Sequence, residues 1–199
     1  MPELEKKTEA DKGKLDFDKD EFLAQYAKQF GKVGTSKKAA IRQLLTYIDY
    51  DQYVSDLRWA AYMLATVKHE CADTWRPVEE YGKGKGRPYG QPDPKTHKTY
   101  YGRGYVQLTW KANYEKMGKA LGVDLVNHPE LALAPATSYR IMSPGMRKGM
   151  FTGAKLSDYI GGGRADYRNA RRIINGLDRA DLIAGYAKKI EKALRAASR

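Results

Sequence analysis

With 199 residues, 42% of them hydrophobic and three tryptophans, the chain is long enough for one packed domain and too apolar to be disordered. Its 36 Lys and Arg against 24 Asp and Glu leave +12 at pH 7, which points to polyanionic partners or to plain solubility. Its lone cysteine, Cys71, excludes an internal disulfide, and no run of eighteen apolar residues offers a helical membrane span.

In chain order, residues 1 to 15 read as a charged, flexible leader, and residues 16 to 199 as a single domain. The leader has no apolar h-region, so no signal peptide is expected. "DEFLAQYAKQF" places Leu23, Tyr26, Ala27 and Phe30 at helical spacing and stops at Gly31. "TSKKAAIRQLLTYI" repeats the pattern, with Ser36 as the candidate N-cap. "VSDLRWAAYMLATVKHE" predicts a third helix, ending near Glu70. From Ala72 to Gly104 glycine and proline abound, which predicts a long irregular loop or small hairpin, and loops of that length are usually functional. Helices are expected again over "TWKANYEKMGKAL", with Gly122 as the stop, over "ATSYRIMSPGMRKGMF", interrupted at Pro144, and from Tyr167 to Ile174. The last segment sets Leu182, Ile183, Tyr186, Ile190 and Leu194 on one stripe, with Lys188, Lys189, Lys192 and Arg195 mostly elsewhere. It reads as a helix packed on the core or as a basic amphipathic helix for an anionic envelope. The fold class is mostly α.

Several motifs fail. "HECAD" starts like the zinc helix HExxH, but position 73 is Asp; His97 and His128 stand alone. "GKGKGRPYG" lacks the strand-to-helix context of a phosphate loop. No metal or cofactor is expected. The carboxylates are more informative. Glu70, at the C-terminal end of a half-buried helix, sits where the helix dipole and burial both favour the protonated acid, and Glu79 and Glu80 follow in the loop. Two carboxylates beside an aromatic-rich loop are the minimum equipment of a glycoside hydrolase, although 24 acidic residues offer many chance pairs.

"YYGRGYVQLTWKANY", Tyr100 to Tyr114, resembles the signature of glycoside hydrolase family 19, the chitinase family of the lysozyme superfamily. "HE" before the loop, "LGVDLVNHPEL" after the signature and "ARRIINGL" near the end agree with it in order. The resemblance implies a lysozyme-like helical domain with a loop lining the cleft. It implies Glu70 as general acid and Glu79 or Glu80 as general base of an inverting displacement. Glu79 is preferred, because short-loop bacteriolytic relatives place their second carboxylate about nine residues after the first. Thr109 would hold the attacking water. Gln107, Asn113, Asn175, Tyr101 and Arg103 would bind the sugar, with bracing of the loop as the alternative for Arg103. Trp110 is expected in the core rather than under a sugar.

Chitin and peptidoglycan share the β-1,4-linked N-acetylated backbone, so the motif alone does not choose. The short, disulfide-free loop resembles phage and prophage endolysins, and the basic C-terminal third suits an anionic wall. The expectation is therefore an endolysin-type muramidase acting on peptidoglycan, with a chitinase as the alternative. It would be made in the cytoplasm and released through a holin. A monomer is the simplest expectation, and a basic envelope or nucleic-acid binder is the remote rival; nucleic acid is not expected as a partner.

Overall fold

The computed structural model describes residues 15–199; most of the leader lies outside that range. Helix α1 (Lys19–Phe30) starts where the Asp18 carboxylate accepts the backbone N–H groups of Asp20 and Glu21, both at 3.0 Å. It stops at Gly31, whose φ of 89° suits glycine. Helix α2 (Thr35–Asp49) is capped by Gly34, not by Ser36, which lies inside the first turn. Helix α3 (Leu57–Glu70) starts at the Asp56 cap and is buried from Ala60 through Lys68. It is therefore the central rod, not a helix with one wet face.

Against α3 lies helix α7 (Ala180–Ala197), which also packs on α1. Alanines at 60, 61 and 65 of α3 and at 184, 187 and 193 of α7 are all buried, and small side chains let helix axes approach closely. The stripe of α7 buries Ile183, Ile190 and Leu194, while Leu182 stays 43% exposed, one residue off it. Packing on the core thus uses the apolar face of α7 and leaves Lys188, Lys189, Lys192 and Arg195 outside.

The irregular segment after α3 does contain a small hairpin-like pairing. Strand β1 (Val78–Glu79) runs antiparallel to β2 (Arg103–Gly104), in the register Val78 to Gly104 and Glu79 to Arg103. Helix α4 (Lys111–Leu121) ends on the left-handed Gly122. Helix α5 (Pro135–Arg147) runs straight through Pro144, where an interruption was expected. Burial of Ile141, Met142 and Met146 around the proline holds the helix together despite the lost hydrogen bond. After the short α6 (Leu156–Tyr159), a hairpin of β3 (Ile160–Gly161) and β4 (Arg164–Ala165) appears that the sequence did not announce. Instead of a helix from Tyr167, the chain makes a 3-10 turn, Asn169–Ile173.

Candidate active site

A cavity of about 330 Å³ lies between the C-terminus of α3, the start of α4 and the turn before α7. Glu70 lines it. Gln107, Thr109, Asn113 and Asn175 supply polar lining, and Trp110, Phe151 and Ile174 apolar lining. Five of the residues expected from the sequence therefore meet in one cavity.

Glu70 is the last residue of α3, and its side chain is only 15% exposed. Its neighbour is a cation, which helix-end reasoning did not foresee. Arg171 Nη1 donates to Glu70 Oε1 at 2.5 Å, and Arg171 Nε is fixed by the Asp178 carbonyl at 3.0 Å. Arg171 itself is 3% exposed, so this is a buried ion pair delivered by the 3-10 turn. The only signal in the sequence was that Arg171 lies four residues before Asn175 in "ARRIING". Beside it, burial lowers the pKa of His69 and disfavours an imidazolium next to the site.

The polar lining is built on backbone. Gln107 takes a positive φ of 54° and donates its amide to Val78 O at 3.0 Å and Gly104 O at 3.1 Å, so it ties β1 and β2 to the cavity rim. Thr109 Oγ1 donates to Gln107 O at 2.8 Å and keeps oxygen lone pairs free. Asn113 donates to Thr109 O at 2.8 Å, which leaves its own carbonyl oxygen unengaged, and Asn175 Oδ1 accepts Gly176 N at 2.8 Å, which leaves its amide hydrogens. A surface of unspent donors and acceptors above a carboxylate suits a ligand rich in hydroxyl and amide groups.

Glu79 is not part of the cavity lining. It sits on β1, next to the Val78 carbonyl that Gln107 holds, and its side chain is 35% exposed. Tyr101 Oη donates to Glu79 Oε1 at 2.6 Å and Lys83 Nζ approaches Oε2 at 3.0 Å; these partners, the tyrosine first, lower its pKa below the usual 4.5. Glu80 is engaged differently: Tyr89 Oη and Gly102 N, each at 3.0 Å, occupy one oxygen apiece and brace the loop. Arg103, a sugar-binding candidate from the sequence, is buried behind the wall. It donates to Thr99 O and to Tyr114 Oη at 3.0 Å and stacks 3.6 Å from the Tyr101 ring, so it braces the loop. Tyr101 is likewise 7% exposed and contributes through Glu79. Trp110 departs the other way: expected in the core, it is 50% exposed in the cavity wall, with a strained φ of 73° and the Tyr89 ring edge-on at 5.0 Å.

The segment between Glu70 and Glu79 is anchored from beneath. Ala72, Asp73 and Trp75 all have positive φ. Asp73 accepts from Lys68 and Lys37, both at 2.6 Å, and from Trp75 Nε1 at 3.0 Å. Lys68 in turn lies among the rings of Phe30, Tyr186 and Tyr26, 4.6–5.6 Å from their centroids. Four helices, α1, α2, α3 and α7, thus converge on the turn that leads from one carboxylate to the other.

The domain is helical with a carboxylate and several polar side chains lining one cavity, and comparison with known proteins shows what part of it is similar to. Residues 58–142 match class I chitinases, glycoside hydrolase family 19, and the resemblance read from the signature is borne out. Over 95 residues the chain is 34% identical to chitinase 3 of Oryza sativa subsp. japonica, covering 40% of this chain and 30% of that protein. Over 34 residues it is 59% identical to inactive chitinase-like protein 1 of Hevea brasiliensis, covering 17% of this chain and 11% of that one. The chain thus spans less than a third of the length of these relatives. Chitinase C from Streptomyces griseus HUT6037 has a similar fold, with a TM-score of 0.59 at 22% identity over 87% of this chain and 76% of that one.

Proposed function

We propose that the protein hydrolyses a β-1,4-linked, N-acetylated glycan by two-carboxylate catalysis. The observation that carries this reading is the meeting of Glu70 with Gln107, Thr109, Asn113 and Asn175 in one cavity. Glu70, protonated at Oε2 while Arg171 holds Oε1, donates that proton to the departing glycosidic oxygen, and Glu79 takes one from the attacking water. The lowered pKa of Glu79 keeps it a carboxylate at neutral pH, as a base requires. Glu80 is less suited, because its oxygens hold Tyr89 and the Gly102 backbone and so brace the loop, whereas Glu79 stands on β1 beside the Val78 carbonyl that Gln107 holds at the cavity. Thr109 Oγ1 orients the water, and the amide groups of Asn113 and Asn175 bind the sugar.

Chitin is the substrate class that the names of the relatives favour. Peptidoglycan is the second reading, favoured by the +12 charge, which a neutral polymer does not call for. The local match to a protein named inactive means that the signature alone does not decide activity.

The test is digestion of soluble chitin oligomers beside purified sacculi by wild type and Glu70→Gln, with new reducing ends identified by mass spectrometry. Cleavage of chitin oligomers by the wild type alone is the expected result. Muramic-acid reducing ends from sacculi would establish the second reading, and wild type inert on both would refute the proposal.

A further inference from the structure

Residues 76–98 carry six Lys and Arg against three carboxylates, and all three carboxylates are spent internally. Glu79 is held by Tyr101 and Lys83, Glu80 by Tyr89 and Gly102 N, and Asp93 by Lys111 at 2.8 Å and the N–H groups of Lys95 and Thr96. Lys85 and Arg87 are exposed and have no side-chain hydrogen bond or ion pair among the described residues. Tyr81 beside them is 104% exposed.

These cations are not on a loose loop. The N–H groups of Lys83, Lys85 and Arg87 bond to the carbonyls of Glu80, Gly82 and Gly84, each at 2.9 Å, as three successive turns. Gly84 and Gly90 touch backbone to backbone: a Cβ on Gly90 would lie 2.0 Å from Gly84 O. The loop also rests on the cavity rim, through the Tyr89 ring against Trp110 and the Tyr100 N–H on Tyr89 O at 3.0 Å. A backbone ordered in advance leaves only the side chains to be ordered when a partner arrives. A neutral glycan has no group to answer these charges.

We infer that the Lys83–Arg87 loop is a subsite for carboxylates carried on the glycan, so that, of the β-1,4-linked polymers the cavity accepts, one bearing acidic peptides (the second reading above) is cut faster than a bare one. This rests on the glycosidase reading of the cavity. Lys85 and Arg87 receive the carboxylates, Tyr81 covers the apolar part of the peptide, and the glycan lies in the cavity below. The subsite acts by electrostatic capture, which raises encounter rates about tenfold or more and is screened by salt.

The experiment measures kcat/KM on three soluble substrates: peptidoglycan strands carrying their peptides, the same strands stripped of peptides by an amidase, and chitin hexamer. Enzymes are the wild type, Lys85→Glu/Arg87→Glu and Lys85→Ala/Arg87→Ala, each at low and high NaCl. The expected result is a roughly tenfold loss on peptide-bearing strands for the charge reversal, a smaller loss for the alanine pair, and less than twofold change on the other two substrates. The wild-type preference for peptide-bearing strands should also vanish at high salt. Equal losses on all three substrates, or no wild-type preference between peptide-bearing and stripped strands, would overturn the subsite while leaving the glycosidase intact. A wild type that cuts hexamer but neither kind of strand also overturns it. A wild type that cuts none of the three removes the glycosidase reading itself.

Discussion

Arg171 Nη1 lies 2.5 Å from Glu70 Oε1, with both side chains largely out of water. The acid candidate of the cleft is thus also half of a buried ion pair that joins α3 to the turn before α7. Removing one member of such a pair strands the other charge. Arg171→Met should therefore cost about 3 kcal/mol in urea unfolding. Glu70→Gln keeps an acceptor oxygen for the guanidinium and should cost less, yet lower turnover by roughly 10²–10⁴-fold. A Glu70→Gln protein with wild-type turnover would take Glu70 out of the acid role.

Tyr101 is the largest contributor to the lowered pKa of Glu79. Its hydroxyl stabilises the charged form, so Tyr101→Phe should let the Glu79 pKa rise towards 4.5. The acidic limb of the kcat/KM profile should move to higher pH, with the neutral plateau retained. Rates measured between pH 3 and 7 decide this, and an unmoved limb would argue that another group is the base.

Trp110 is held in a strained backbone conformation, is half exposed, and is among the residues that line the cavity. An exposed ring in that position suits the apolar face of a sugar. Trp110→Ala should raise KM about five- to tenfold, a loss of about 1 kcal/mol, with kcat nearly unchanged. Quenching of tryptophan fluorescence by chitin oligomers, lost in the variant, would be the direct readout.

Lys68 is 8% exposed, and Asp73 is the carboxylate that answers its charge. Asp73→Ala should destabilise the protein by about 2–3 kcal/mol, with the surrounding rings softening the loss. Because the same carboxylate pins the turn between Glu70 and Glu79, kcat should fall while KM changes little. A variant as stable as wild type in denaturant would show that Lys37 and Lys68 need no anion there.

Gly145 on α5 leaves room for the Phe151 ring in the cavity wall; a Cβ there would lie 2.1 Å from Phe151 Cζ. Gly145→Ala should cost about 1–3 kcal/mol by overpacking and raise KM by pushing the ring into the cleft. Adding Phe151→Ala should recover stability, as seen in thermal melts.

Helices α1 and α4 were legible because apolar spacing and a stop residue agreed, at Phe30 with Gly31 and Leu121 with Gly122, and α3 from its apolar spacing. Glu70 was legible from its place at the end of α3, whereas Gln107, Thr109, Asn113 and Asn175 were legible through family resemblance, since no periodicity marks an unspent side-chain amide or hydroxyl. Pro144 misled because local propensity yields to packing. The Arg171 partnership spans 101 positions, a separation at which spacing carries no information. Trp110 misled for a related reason: composition says that tryptophan is usually buried, but a positive φ at the head of α4 turns this one outward. The β3–β4 hairpin has two residues per strand, too few for alternation to register.

Cys71 is fully buried, its thiol faces the carbonyls of Gly104 and Tyr105, and burial pushes its pKa far above the ordinary thiol value. To an alkylating reagent the folded protein therefore behaves as though it had no cysteine. A Tyr81→Cys variant would take up a maleimide dye at one place only, on the rim of the cleft, with the wild type as the unlabelled blank. The arrival of a polymer at the rim could then be watched in real time, without waiting for a bond to break.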